Sequence, residues 1–161
     1  NQTPCYGGIT TTWDGNSWTN GFPNSTSTKT IIDGDYNTAA NGSFTACSLI
    51  VNVNNTLTVA NEGYIEIEHD IIVDGNIVVN PRGSVKQNND NGVVTENGSI
   101  KITKKTALLN NWYEYTYWSS PVSDETIGTG LSESQPDRRF LFNGANFLDT
   151  TKETNNSSSF I

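Results

Sequence analysis

The sequence predicts an all-β protein: a short right-handed parallel β-helix (a solenoid) with an N-terminal cap, followed by the start of a β-rich, sandwich-like module. Three observations lead there. Asn, Thr, Ser and Gly dominate and Met is absent; these are poor helix formers but suit strands joined by many turns. Between residues 44 and 104 a pattern of two short alternating apolar runs, split by Asn, Asp or Gly, recurs about every 21 residues. A unit that short cannot bury its own apolar face, whereas stacked copies bury a continuous core. Beyond the repeats, aromatic residues fall on almost every other position from Trp112 to Trp118, which is a strand signature of a different kind. The expected organisation is a cap at 1–30, coils at 31–106 and a β-rich module at 107–161, cut short at its C-terminal end.

Residues 1–30 read as an irregular cap. Trp13, Trp18 and Phe22 stand among the turn formers of Trp13-Asp14-Gly15-Asn16-Ser17-Trp18-Thr19-Asn20-Gly21-Phe22-Pro23. A solenoid end exposes core and strand edges, and large aromatics can cover both. The functional alternative is an aromatic platform for sugars. Thr30–Tyr36 reads as a first short coil. Within it Asp33, Asp35 and Asn37 have an alternating oxygen-ligand spacing that could suit Ca²⁺. An EF-hand is excluded, because its bidentate Glu would fall at Phe44. The other reading of Asp33-Gly34 is a plain turn.

The repeats place Leu49, Val51 and Val53 inward, with Leu57 and Val59, Ile65 and Ile67, Ile71 and Val73, and Ile77 and Val79. Asn52, Thr58, Glu66 and Glu68 face outward. The offset from Leu49 to Ile71 is 22, and a further 22 reaches Val93, where a weaker third copy continues to Ile100-Lys101-Ile102. Stacking sets Glu66 beside Lys86 one coil on. Ile72 and Val78 break the polar side of the alternation. Downstream, Trp112–Val122 is expected to be a strand with one heavily packed face and 123–137 a polar loop. Arg138-Arg139-Phe140-Leu141-Phe142 is expected to be a second strand, turning at Asn143-Gly144 into a partner starting at Phe147-Leu148.

The net charge of −8 and pI near 4.4 oppose nucleic-acid binding and docking on anionic lipid. No run approaches the roughly 18 apolar residues of a membrane helix, so no integral membrane span is expected. The chain starts at Asn1, which suits a processed product from which a signal peptide has been removed. Cys5 and Cys47 are the two cysteines; in an oxidising compartment they could form one disulfide tying the N-terminal segment to the first full coil.

Motifs for chemistry are sparse. His69 is the single histidine, no G-x-S-x-G elbow accompanies it, and a coil-corner position accounts for it. No phosphate loop or dinucleotide fingerprint is present, and no cofactor is expected beyond the Ca²⁺ option. The enzymatic alternative is a polysaccharide-cleaving β-helix. Glu66 and Glu68 project on the same side about 6.5–7 Å apart, within the spacing of an inverting glycosidase pair, and Asp70 could join them. Outward acidic pairs are equally common on any solvated strand. A carbohydrate-binding module is the other alternative, through Trp13, Trp18, Trp112 or Trp118.

Tyr115-Thr116-Tyr117-Trp118-Ser119-Ser120-Pro121-Val122 and Arg139-Phe140-Leu141-Phe142-Asn143-Gly144-Ala145-Asn146-Phe147 resemble a block common in large secreted surface proteins of Bacteroidetes. The Trp13–Pro23 stretch resembles their N-terminal opening, and the coils fit their layout. The resemblance implies export by the type IX secretion system as adhesin-like or gliding-associated cargo. The implied partners are the secretion machinery and surface glycans or other cell-surface proteins, and the implied role is structural and adhesive, without catalysis. The C-terminal sorting domain of such cargo has no counterpart here, in keeping with a chain that continues beyond Ile161. The resemblance also implies O-glycosylation at Asp-Ser/Thr motifs, for which Asp149-Thr150-Thr151 offers Thr150.

Overall fold

The computed structural model describes residue 5, residues 7–142 and residues 147–149. The chain divides into two compact units, Asn1–Lys105 and Thr106–Ile161. No helix among the described residues is long and apolar enough to cross a membrane.

The first unit is a parallel β-solenoid of about five turns. Its strands in chain order are β1 (Thr10–Trp13), β2 (Lys29–Ile32), β3 (Tyr36–Asn37), β4 (Phe44–Ala46), β5 (Ser48–Val51), β6 (Thr56–Val59), β7 (Tyr64–Ile67), β8 (Ile71–Val73), β9 (Asn76–Val79), β10 (Ser84–Gln87), β11 (Val94–Glu96) and β12 (Ser99–Ile102), with a one-turn helix α1 (Thr38–Asn41) between β3 and β4. They form three faces: β1-β2-β5-β8-β11, β3-β6-β9-β12 and β4-β7-β10. Each pairing within these faces is parallel. The solenoid starts earlier than the sequence suggests: β1 lies inside the expected irregular cap and pairs with β2 from Thr10↔Lys29 to Trp13↔Ile32. The β-branched run Thr10-Thr11-Thr12 favours a strand, and the open edge of β2 supplies the ladder hydrogen bonds that pair it.

Alternation inside each strand makes the core. Leu49, Val51, Leu57, Val59, Ile65, Ile67, Ile71, Val73, Ile77 and Val79 are all buried, the set that period-two reading selects. Register stacks them from coil to coil: Leu57 beneath Ile77, Leu49 beneath Ile71, Phe44 beneath Ile65. Two expected positions differ. Val53 is 62% exposed, because β5 ends at Val51 and Asn54 turns the corner with φ 67°. In the final coil Val94, not Val93, pairs with Ile71. The corner there runs from 88 to 93, whereas Cys47 alone separates β4 from β5, and the longer corner absorbs the one-residue slip. Ile72 and Val78 stay on the outer side of their sheets, half-buried; Ile72 stacks on Ile50, itself stacked on Ile31.

The corners between the first two faces are held by side chains that copy a backbone ladder. The Asn52 amide donates to Asp33 Oδ1 at 2.8 Å, and the Asn97 amide to Asp74 Oδ1 at 2.7 Å. Glycine is required where corners stack closely: a Cβ on Gly98 would sit 1.9 Å from the Gly75 carbonyl oxygen. Repeated Asp/Asn-Gly dipeptides are therefore the packing unit of this edge.

At the N-terminal end, Trp13, Trp18, Phe22, Tyr36 and Phe44 interlock, with ring centroids 5.2–6.2 Å apart and mostly edge-to-face. The Trp13 indole N–H donates to the Asp35 carbonyl at 3.0 Å. Cys5 and Cys47 form a disulfide across a sequence separation of 42, which ties the segment before β1 to the β4–β5 corner.

In the second unit, β13 (Phe140–Phe142) pairs antiparallel with β14 (Phe147–Asp149), and the expected turn Asn143-Gly144 lies outside the described residues. The strand starts at Phe140 rather than Arg138, because Pro136–Arg138 forms a 3₁₀ turn. The loop before it includes a one-turn helix α2 (Ile127–Gly130). The expected strand over Trp112–Val122 is absent: these residues lie outside the sheets. Alternating aromatics make a strand only when a neighbour supplies ladder hydrogen bonds, and among the described residues β13 and β14 pair only with each other. The rings instead meet side chains: Tyr115 packs edge-on against Phe140 at 5.6 Å, and the Arg138 guanidinium lies over Trp112 and Tyr115 at 5.8 and 5.6 Å.

Candidate functional site

The residues singled out for chemistry fall into three places. The acidic set sits on the outer side of β7 and the corner after it. Glu66 pairs in register with Lys86, whose Nζ lies 3.1 Å from Glu66 Oε1. Asn88, at the end of β10, donates to Glu66 Oε1 and to Glu68 Oε2, both at 3.1 Å. The two carboxylates thus share one amide, as same-side projection requires. The Asn88 hydrogen bond, with the Lys86 hydrogen bond and charge behind it, holds the Glu66 carboxyl below its usual range. Glu66 is thus committed to two bonds with the next coil. Asp70 Oδ1 accepts from the Val93 N–H at 2.9 Å, which fixes the long corner of the next coil. His69 is half-buried, its Nδ1 lies 3.2 Å from the Asn89 amide nitrogen, and its carbonyl accepts from Gln87 at 2.6 Å. Each of these groups bonds the coil above it.

The Ca²⁺ trio is likewise spent on separate bonds. Asp33 Oδ1 accepts from Asn52, Asp35 Oδ1 from the Thr56 N–H at 2.8 Å, and Asn37 Oδ1 caps α1 through the Ala39 N–H at 2.9 Å. Among the described residues no group of three or more His, Cys, Asp or Glu side chains is arranged to hold a metal.

The four tryptophans divide sharply. Trp13 is 7% exposed and Trp18 packs against the core, so both form the lid of the solenoid. In the other unit Trp112 is 78% and Trp118 37% exposed, with Tyr113, Tyr115 and Tyr117 also open to solvent. Of the four, Trp112 and Trp118 are the exposed ones, with Arg138 already lying over the Trp112 ring. Thr150 lies outside the described residues.

A feature that sequence reasoning missed lies beneath β6. A cleft of about 300 Å³ is lined by Asp35, Tyr36, Asn37, Asn41, Thr56 and Thr58. It exists because β3 is two residues long and the chain then turns into α1, leaving β6 overhanging its neighbour. Tyr36 ties the floor together: its hydroxyl lies 2.9 and 2.8 Å from the Asn41 and Gly42 carbonyl oxygens. Burial pushes its pKa up to about 12, so it is neutral under physiological conditions. No local motif signals the cleft, since its walls come from neighbouring coils.

Comparison with curated proteins and with solved structures found no match. Among protein families, the domain of unknown function DUF8693 matches residues 5–161, nearly the whole chain, and the protein belongs to that family.

Proposed function

We propose that the chain is an extracellular, cell-surface structural and adhesive element, exported as type IX secretion cargo, and that it carries no catalytic activity. The observation that carries this reading is the Cys5–Cys47 disulfide clamping a β-solenoid. Such bonds persist in oxidising compartments and are rare in the cytosol. The engagement of Glu66, Glu68 and Asp70 in coil-to-coil bonding supports a scaffold over an enzyme. The type IX assignment rests on the resemblance of Trp13–Pro23 and Tyr115–Val122 to secreted surface proteins.

Protease shaving of intact host cells, followed by non-reducing peptide mapping, tests the reading. Disulfide-linked peptides containing Cys5 and Cys47 should be released from the surface, and should be lost from it in a secretion-deficient strain. Free thiols in a cytoplasmic fraction would overturn it. A carbohydrate-binding role is the second reading, favoured by the exposure of Trp112 and Trp118. Trp112→Ala and Trp118→Ala should then weaken adhesion to surface glycans without moving the melting temperature.

A further inference from the structure

We infer that the cleft beneath β6 is a binding site for a single neutral or amino sugar residue. Its volume of about 300 Å³ lies at the lower end of the roughly 300–1,000 Å³ range of small-molecule pockets, enough to seat one ring. Its lining mixes polar and apolar surface, and most of its polar side-chain groups are uncommitted. Asp35 spends one carboxylate oxygen on the Thr56 N–H and Asn37 spends its carbonyl on α1. Asp35 Oδ2, the Asn37 amide nitrogen, the whole Asn41 side-chain amide and the hydroxyls of Thr56 and Thr58 bond no protein group among the described residues. These groups offer donors and acceptors together around one cavity. Sugar hydroxyls, each a donor and an acceptor, match such a set, whereas an apolar ligand would strand it.

Charge narrows the class. Asp35 is the one carboxylate in the lining, Tyr36 is neutral, and no Lys or Arg is present. A uronic or sialic acid would therefore bring a carboxylate beside Asp35 with no cation to offset it, while an ammonium group would be welcome. The backbone around the cleft is held in advance by the Tyr36 hydroxyl, Trp13 on the Asp35 carbonyl and the paired strands β3 and β6, so binding need order little chain. The site lies in the solenoid and makes no use of Trp112 or Trp118, so it stands independently of any adhesion through those rings.

The test is an amide chemical-shift titration of the whole chain with galactose, glucosamine and glucuronate, each to about 50 mM, which registers millimolar affinity. Galactose or glucosamine should shift the amides of Asp35–Asn41, Thr56 and Thr58, with glucuronate at least about tenfold weaker. Asn41→Ala and Thr58→Val should each weaken binding about tenfold with an unchanged spectrum elsewhere, since neither side chain has a protein partner to lose. Absence of shifts at the cleft with all three sugars, equal binding by both variants, or shifts confined to Trp112–Trp118 would each overturn the assignment.

Discussion

The middle coils and the last coil of the solenoid use the same register with opposite chemistry. In one column Trp13, Ile32, Val51 and Val73 stack in turn, and the next residue is Glu96. In another, Ala46 and Ile67 are followed by Gln87. Ile71 is 4% exposed, whereas Val94, its partner one coil further, is 46% exposed. Gln87 turns its amide to the His69 carbonyl and Glu96 takes the Ile100 N–H, so each polar group finds a partner at the end of the stack. Replacing the inward apolar residue by a polar or charged one lets a strand edge stop without inviting another strand. The opposite end is closed by aromatic packing and a disulfide. A solenoid's stability is a sum over neighbours, so the two ends should differ from the middle, and from each other, in what a mutation costs.

The largest effect is expected at the covalent end. Breaking the Cys5–Cys47 link, which closes 42 residues, by Cys5→Ser with Cys47→Ser should cost about 4 kcal/mol in the chain-entropy account. Denaturant unfolding of the variant against the oxidised parent measures it. A loss below about 1 kcal/mol would mean that the aromatic cluster closes this end unaided.

Next comes the direct comparison of middle and end. Leu57 is fully buried between coils, and Leu57→Ala should cost about 3 kcal/mol. Ile100 stacks on Ile77 from one side and remains half-buried, so Ile100→Ala should cost about 1 kcal/mol. Equal losses in the two variants would show that the last coil is covered on both sides.

These contrasts were legible in the sequence only in part. Alternation from Leu49 to Val79 is a local signal, so the inward set and the Glu66–Lys86 pairing follow from counting by two and by twenty. Corners are not periodic. Val53 continued the alternation on paper but lies past the end of its strand, and the long corner before β11 moved the register from Val93 to Val94. The Trp112–Trp118 alternation was misleading for another reason: pairing is a property of two segments, and one segment cannot declare that it lacks a partner. The cleft under β6 was invisible because Asp35 and Thr58 meet only through stacking. Among the site residues, the oxygen spacing of Asp33, Asp35 and Asn37 was real, yet each oxygen is aimed at a different backbone or amide donor.

A smaller effect, of opposite sign, is expected inside the first coil. Thr30 is 1% exposed and its hydroxyl has no hydrogen-bond partner among the described residues, while its neighbour in the stack, Thr11, donates to the Gly21 carbonyl at 2.8 Å. Thr30→Val keeps the β-branched shape and removes the stranded hydroxyl, and should raise stability by about 1 kcal/mol. Thr11→Val should lower it by a similar amount. Thermal melts of the two variants separate a buried polar group that is satisfied from one that is not.

The smallest effect concerns the outer side of the middle coils, where charge rather than burial acts. Asn88 and then Lys86 hold the Glu66 carboxyl below the usual carboxylate range. A carboxyl whose folded pKa is depressed contributes stability that is fully present above its unfolded pKa and is lost as pH falls through the folded value. Glu66 therefore contributes nothing to pH dependence between neutrality and about pH 5, and its contribution disappears below the ordinary carboxylate range. Because the pair lies on the solvent side of its strands, with the Lys86 side chain 65% and the Glu66 side chain 33% exposed, salt should weaken the Lys86 part of the effect and leave the Asn88 hydrogen bond largely untouched. Asn88→Ala and Lys86→Met should each raise the Glu66 pKa, as followed by carboxyl-carbon NMR titration, and added salt should shrink only the Lys86→Met difference. An Asn88→Ala variant with an unmoved Glu66 would make the ion pair, rather than the shared amide, the link between these two coils.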